Sequence, residues 1–244
     1  MIAFMFLSMG KYAALSGDAA AAQQLMQAFP ATLQAVFGMT GLDLGTIQGY
    51  YGICFIFIAV MLAIHAGMLG ADLISKEERD KTAEFLYVKP RERAYLLTMK
   101  LIAGVLILLA IFVVTALSTY ASIAMVNNGS VPVSDLVTFS LALLLVQALF
   151  YCAGAFFASV LTHPKQATMY VSILVFVFYI ADVLQGLSDN FSWLKQVTPF
   201  SYFNARDILA DGHLNLGYVA ITASVTVVLL IVTYIGYTRR DFKI

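Results

Sequence analysis

Charge is scarce in this sequence. Its 244 residues include 14 Lys and Arg and 14 Asp and Glu, 11% in all, against about 25% in a typical soluble domain. With 61% hydrophobic residues, a fold in water would carry large apolar patches, so the composition places the chain in a membrane. Net charge is zero, and no global field draws nucleic acid. There are two cysteines, Cys54 and Cys152. Both lie in apolar runs and read as small buried hydrophobes. The three histidines, His65, His163 and His213, fall in a span, an inner link and an outer link. They cannot converge at one depth on a metal or an acid/base site. No G-x-x-x-x-G-K-[ST] motif occurs, so no phosphate-cradling loop is present, and the chain is not expected to hydrolyse ATP itself. The N-terminal apolar run has no basic residue ahead of it and no convincing cleavage site, which argues against a cleavable signal peptide.

What remains is long apolar runs. A helix needs about 20 apolar residues to cross the hydrocarbon core. Five runs meet that length, at about 47–74, 100–126, 134–161, 168–187 and 216–238. A sixth, 1–15, is short and looks truncated at its start, but is counted as a span. The expected fold is therefore an all-α integral membrane protein with six transmembrane helices. Gly104, Gly154 and Ala158 permit close helix approach, the last two as a small-xxx-small pair.

The positive charge is concentrated in one place. Residues 76–100, KEERDKTAEFLYVKPRERAYLLTMK, hold seven of the fourteen Lys and Arg and five of the fourteen acids. With this island in the cytoplasm, the cytoplasmic side carries 11 Lys and Arg and the outside 3, the bias that sets orientation. Both termini are then cytoplasmic. The tail from Arg239 to Lys243 anchors the last span at the inner face.

Two outer segments are long enough for structure. In 18–46, Leu25, Met26, Phe29, Leu33, Val36 and Phe37 recur near helical spacing between glutamines, as in an amphipathic interfacial segment, which Pro30 kinks or splits. Residues 189–213 are aromatic and polar, and suit an interfacial or re-entrant segment.

The island itself reads as a capped helix over about 77–88. Ser75-Lys76-Glu77-Glu78 begins it with acids in the first turn, and Pro90 ends it. Phe85 and Leu86 are apolar anchors within a charged rim that includes Glu84, an anatomy suited to docking in a groove. The same charges also fit a solvated loop that only enforces topology.

The run Glu78…Thr82-Ala83-Glu84-Phe85-Leu86…Pro90…Arg93…Lys100, followed by a long apolar span, resembles the signature of ABC-2 type transporter permeases. The resemblance extends to an Ala/Gln-rich outer stretch ending in Phe29-Pro30, the Phe37-Gly38 turn, the Ile47-Gln48-Gly49-Tyr50 start of the second span, and the order of spans. Lys81 stands where that family usually has Gly, and Arg91-Glu92 where a small residue commonly precedes Arg93. The resemblance implies a bacterial plasma-membrane exporter subunit in which the segment between spans two and three is a cytoplasmic coupling helix. Glu77, Glu78, Thr82, Glu84, Phe85, Leu86 and Arg93 would then dock on a separate ABC ATPase subunit, which would bind the ATP and Mg. This chain would bind no cofactor, and a second permease copy, identical or a paralogue, would complete the pathway. Spans rich in Phe, Tyr, Ile and Leu point to a hydrophobic or amphipathic substrate, such as a peptide or lipophilic antibiotic, moved out of the cell.

Two alternatives fit the residues less well. An ion-driven secondary transporter would want intramembrane charges on several spans, and only Asp182 qualifies. An intramembrane protease of the CAAX-processing type would follow Glu77-Glu78 with Arg at position 82, where Thr82 stands. His65, Gln147 and Asp182 are the candidate polar residues within spans, as inter-helix hydrogen-bonding groups or as lining of a pathway.

Overall fold

The computed structural model describes residues 1–15, 29–80, 92–161 and 163–239. Among these the regular structure is all helical. Helix α1 spans Ile2–Leu15, α2 Ala31–Val36, α3 Ile47–Arg79, α4 Arg93–Val126, α5 Val133–Val160 and α6 Pro164–Leu187. A 3-10 turn at Asp189–Gln196 leads to two short helices, α7 at Pro199–Tyr202 and α8 at Ala205–Asp211, and the last helix, α9, spans Leu216–Arg239. Five of the described helices, α3 to α6 and α9, are long and apolar enough to cross a membrane, and α1 is a shorter apolar helix. The protein is a multi-pass membrane protein.

Local sequence sets most boundaries. Pro30 precedes α2 and Pro132 precedes α5, each where a missing N–H costs nothing. Asn215 Oδ1 accepts the Gly217 N–H at 2.9 Å and caps α9. Ser188 and Asn204 do the same for the 3-10 turn and for α8, and Gly212, with φ +70°, ends α8 in a left-handed turn.

The two helices beside the island run well past the apolar windows. α3 has 33 residues and α4 has 34, each about 50 Å long at 1.5 Å per residue. The hydrocarbon core is about 30 Å thick. Hydropathy marks where lipid ends, whereas a helix ends where its hydrogen bonding is broken, and nothing between Asp72 and Arg79 breaks it.

Contacts group the chain into two compact units: residues 1–60, 111–143 and 178–218, and residues 61–110, 144–177 and 219–244. In the first, Tyr51 and Phe55 of α3 pack on Phe139 of α5 at centroid distances of 5.1 and 4.9 Å. Met5 and Met9 of α1 are fully buried. The buried face of α4 is hydroxylic: Thr115, Ser118, Thr119 and Ser122. Ser118, Thr119 and Ser122 bond back to carbonyls of their own helix, and Thr119 also meets the Tyr51 hydroxyl. Such bonding satisfies hydroxyls inside a helical bundle.

In the second unit the core is built on small residues. Ala66, Ala71, Ala155, Ala158 and Ala167 are buried, and the backbones of α3 and α5 come into contact. A Cβ on Gly154 would collide with the Gly67 carbonyl, and one on Gly104 with the Tyr151 hydroxyl. Both expected close-approach glycines thus lie at real crossings. Cys54 and Cys152 are free and buried, as expected of small apolar fillers.

Candidate functional site

The island-side ends of α3 and α4 are held together by charge. Lys100 Nζ, two turns into α4, pairs with Glu77 Oε2 in the last turn of α3 and lies 3.4 Å from the Ile74 carbonyl oxygen. The side chains are 14% and 24% exposed. Beneath them Ile74, Leu97 and Leu101 are buried in one cluster. Arg79 pairs with Asp72, two turns back along α3, and with Asp80 at 3.4 Å, both in more exposed positions.

This arrangement corrects the expected helix start. Ser75 does not cap a new helix. It is buried within α3, and its hydroxyl donates to the Ala71 carbonyl at 2.6 Å. Glu77 and Glu78 therefore occupy the C-terminal turn of a long helix, where carboxylates oppose the helix dipole. Lys76 and Arg79 share that turn, and Lys100 reaches Glu77 from α4. Of the expected docking residues, Glu77, Glu78 and Arg93 are described. Glu77 and Glu78 sit at the end of α3, Arg93 is the first residue of α4, and Glu78 and Arg93 each have a polar neighbour. Thr82, Glu84, Phe85 and Leu86, and with them most of the expected 77–88 helix, lie outside the described residues. So do 16–28, which include Leu25 and Met26 of the outer segment, and the tail beyond Arg239.

The polar residues within spans stand in different surroundings. His65 is exposed on the surface of α3, among Met61 and Met68, and is not enclosed between helices. Gln147 is enclosed in α5, 1% exposed, and neither atom of its amide has a hydrogen-bond partner among the described residues. Asp182 in α6 accepts a 2.5 Å hydrogen bond from Ser201 Oγ. Ser201 belongs to α7, whose Pro199, Phe200 and Ser201 are all buried. Nearby, the Tyr179 hydroxyl donates to the Val36 carbonyl at 2.9 Å. Asp182 and Tyr179 thus pin α7 and the end of α2 to that helix. Among the described residues no three His, Cys, Asp or Glu side chains gather as a metal site requires.

Outside the membrane spans, Lys195 donates to Asp207 Oδ2 at 2.8 Å. That bond, with the Asp207 charge, holds the lysine above its ordinary range against partial burial and the nearby Arg206. Burial raises the Tyr202 phenol, which stacks on Tyr218 with centroids 4.8 Å apart.

Two hydroxyl contacts were missed by sequence reasoning. Thr98 of α4 and Tyr234 of α9 face each other at 2.8 Å, and the Tyr151 hydroxyl of α5 donates to the Leu101 carbonyl of α4 at 3.1 Å. Isolated hydroxyls in apolar runs carry no pairing signal. The α4 stripe does carry one: Thr115, Ser118, Thr119 and Ser122 fall at helical spacing.

A family model described as ABC-2 family transporter protein matches residues 1–242. No curated protein and no solved structure matches the chain.

Proposed function

Since the chain belongs to the ABC-2 transporter family, we propose that it is the permease subunit of an ATP-driven exporter in a bacterial plasma membrane. It works as two permease copies, identical or paralogous, with a cytosolic ABC ATPase that binds ATP and Mg. The observation that carries the reading is the island. Half of the positive charge of the chain lies in 76–100, between two helices whose ends are joined by Glu77 and Lys100.

In this reading Thr82, Glu84, Phe85 and Leu86 seat in a groove of the ATPase, flanked by Glu77, Glu78 and Arg93. Closure of the ATPase pair displaces the island. Because the Glu77–Lys100 pair and the apolar cluster beneath it link α3 to α4, the displacement reaches both helices together. Two long helices moving as a lever alternate the access of the pathway, a rigid-body transition of the kind packed helices support. The distribution of Lys and Arg supports an island, and both termini, on the cytoplasmic side.

The substrate proposed is hydrophobic or amphipathic, a peptide or lipophilic antibiotic. The spans offer few charged groups to a hydrophilic solute, and Asp182 is already engaged by Ser201.

The test is co-purification with the ATPase, comparing the native chain with Glu84→Arg plus Phe85→Ala. Loss of the ATPase from a variant that remains monodisperse in detergent supports the docking role. If no ATPase accompanies the native chain, the ATP-driven reading fails and an ion-gradient mechanism takes its place.

A further inference from the structure

A groove of about 410 Å³ runs between α4, α5 and α9 in the second unit. Its walls are apolar along almost their whole length. The floor comes from Leu144, Ala148 and Cys152 of α5, and the α9 wall includes Leu230. Along the α4 rim, Ile102, Val105, Leu106 and Leu109 are all exposed, so the groove opens away from the protein at the depth of the membrane.

Three observations point to one occupant. The first is length. From Thr98 to Leu109 the α4 wall is about 16 Å long at 1.5 Å per residue, which is about half of a 30 Å hydrocarbon core and so the depth of a single leaflet. The second is polarity along that length. The hydroxyls of the groove cluster at its island-side end, where Thr98 and Tyr234 meet at 2.8 Å, while the opposite end at Leu109 and Leu144 is aliphatic apart from Thr226. The third is charge. Beyond the hydroxyl end, both walls finish on an arginine: Arg93 is the first residue of α4 and Arg239 the last of α9. Cations at helix ends favour an anionic headgroup at the interface.

We propose that this groove is a binding site for one acyl chain of an anionic phospholipid from the leaflet on the island side. The chain lies against Val105, Leu144 and Ala148. The ester region reaches the Thr98–Tyr234 hydroxyls, and the phosphate lies toward Arg93 and Arg239. A lipid seated there fills the space between α4 and α9 and makes their packing depend on lipid composition. The site is on the open flank of α4 and concerns the lipid environment, independently of what the protein carries.

The experiment is native mass spectrometry of the full-length protein, purified in mild detergent and supplied with dipalmitoyl phosphatidylglycerol. The native chain is expected to retain one phospholipid per copy. Ala148→Phe, which raises the floor, and Val105→Trp, which closes the rim from an exposed position, should each lower the retained fraction about tenfold, a loss of about 1.4 kcal/mol of binding. Arg239→Gln should weaken retention of phosphatidylglycerol more than that of phosphatidylcholine. Val228→Trp, on the exposed opposite face of α9, should change nothing. Because Val105 is not in the core, its variant keeps the test valid if Ala148→Phe misfolds. Retention in Val105→Trp equal to that in Val228→Trp overturns the proposal. So does efficient disulfide formation between copies carrying Leu106→Cys in native membranes, which assigns the groove to a second copy.

Discussion

Glu77 and Lys100 are 23 residues apart and close an ion pair across the two helices that flank the charged island. The pair is more shielded than Arg79–Asp72 or Lys195–Asp207, and it rests on Ile74, Leu97 and Leu101. Its position makes it a structural clasp whose loss is felt by both helices.

Removing one partner leaves the other charge partly buried and alone. Lys100→Gln or Glu77→Gln should each cost about 1–2 kcal/mol, below the range for a fully buried pair and above that for an exposed one. A double-mutant cycle read by unfolding in detergent should return a coupling energy of about 1 kcal/mol or more. A coupling near zero would mean that the two charges act separately. Under the proposed ATP-driven function, either single variant should uncouple ATP hydrolysis from transport more than it slows hydrolysis.

At the α3–α5 crossing, space is limiting. Gly154→Ala forces a Cβ into the Gly67 carbonyl. Backbone cannot yield as a side-chain tip can, so the cost should exceed about 2 kcal/mol, within the range for overpacking, and Gly154→Leu should abolish a monodisperse peak on size exclusion. Gly10→Ala, where a Cβ meets nothing within 4 Å, is the matched control and should elute normally. Equal behaviour of the Gly154 and Gly10 variants would disprove the close crossing.

The Asp182–Ser201 bond predicts a local effect. Ser201→Ala removes the hydroxyl that donates to the Asp182 carboxylate and should cost about 1–3 kcal/mol. The loss should appear as faster hydrogen exchange in 199–211 without a matching change in α4. Asp182→Asn keeps an acceptor for Ser201 and should be milder than Asp182→Ala. Uniform exchange changes across the protein would count against a pinning role.

The Lys195–Asp207 pair gives a pH dependence with a definite sign. The folded lysine titrates above its ordinary value of 10.5, so the pair contributes fully below that value, and the contribution is lost as pH rises through the higher folded value. The side chains are 38% and 45% exposed, which limits the effect to roughly 0.5 kcal/mol. The stability difference between the native chain and Lys195→Met should therefore be flat from neutral pH to about 10 and shrink above the ordinary lysine value. A difference that grows with alkaline pH would contradict it.

Much of the architecture is legible in the sequence because lipid imposes simple rules. Long apolar runs mark α3 to α6 and α9, and small residues within them mark Gly154 and Gly104 as points of close approach. The end of α3 and the start of α4 are not legible in hydropathy, because both helices extend past their apolar runs, to Arg79 and from Arg93. In the structure the same hydrogen-bonded helix continues into water, with Ser75 bonded backward to Ala71. Partners of single polar residues were also out of reach. Asp182 is read from sequence as a costly acid, but Ser201 comes from a short helix whose placement depends on tertiary packing. His65, equally polar, faces outward because the opposite face of α3 carries the small residues that pack on α5.

Gln147 offers the sharpest test of what a buried polar group does here. It is enclosed on α5, and neither amide atom has a hydrogen-bond partner among the described residues. Burying an amide without a partner costs about 1–3 kcal/mol by mutational measures, so this residue opposes the packing seen. Gln147→Leu removes the penalty with little change in volume and should raise stability by about 1–2 kcal/mol, read as a higher unfolding midpoint in detergent. Gln147→Ala should not, since it leaves a cavity. A stabilising Leu variant that also lowers transport would mean that the amide finds its partner in another conformation of the cycle, and that the packing described here is kept less stable to allow it. If Gln147→Leu instead destabilises the protein, the amide is satisfied in the membrane by a bound water, and the residue stabilises the α5 face it occupies.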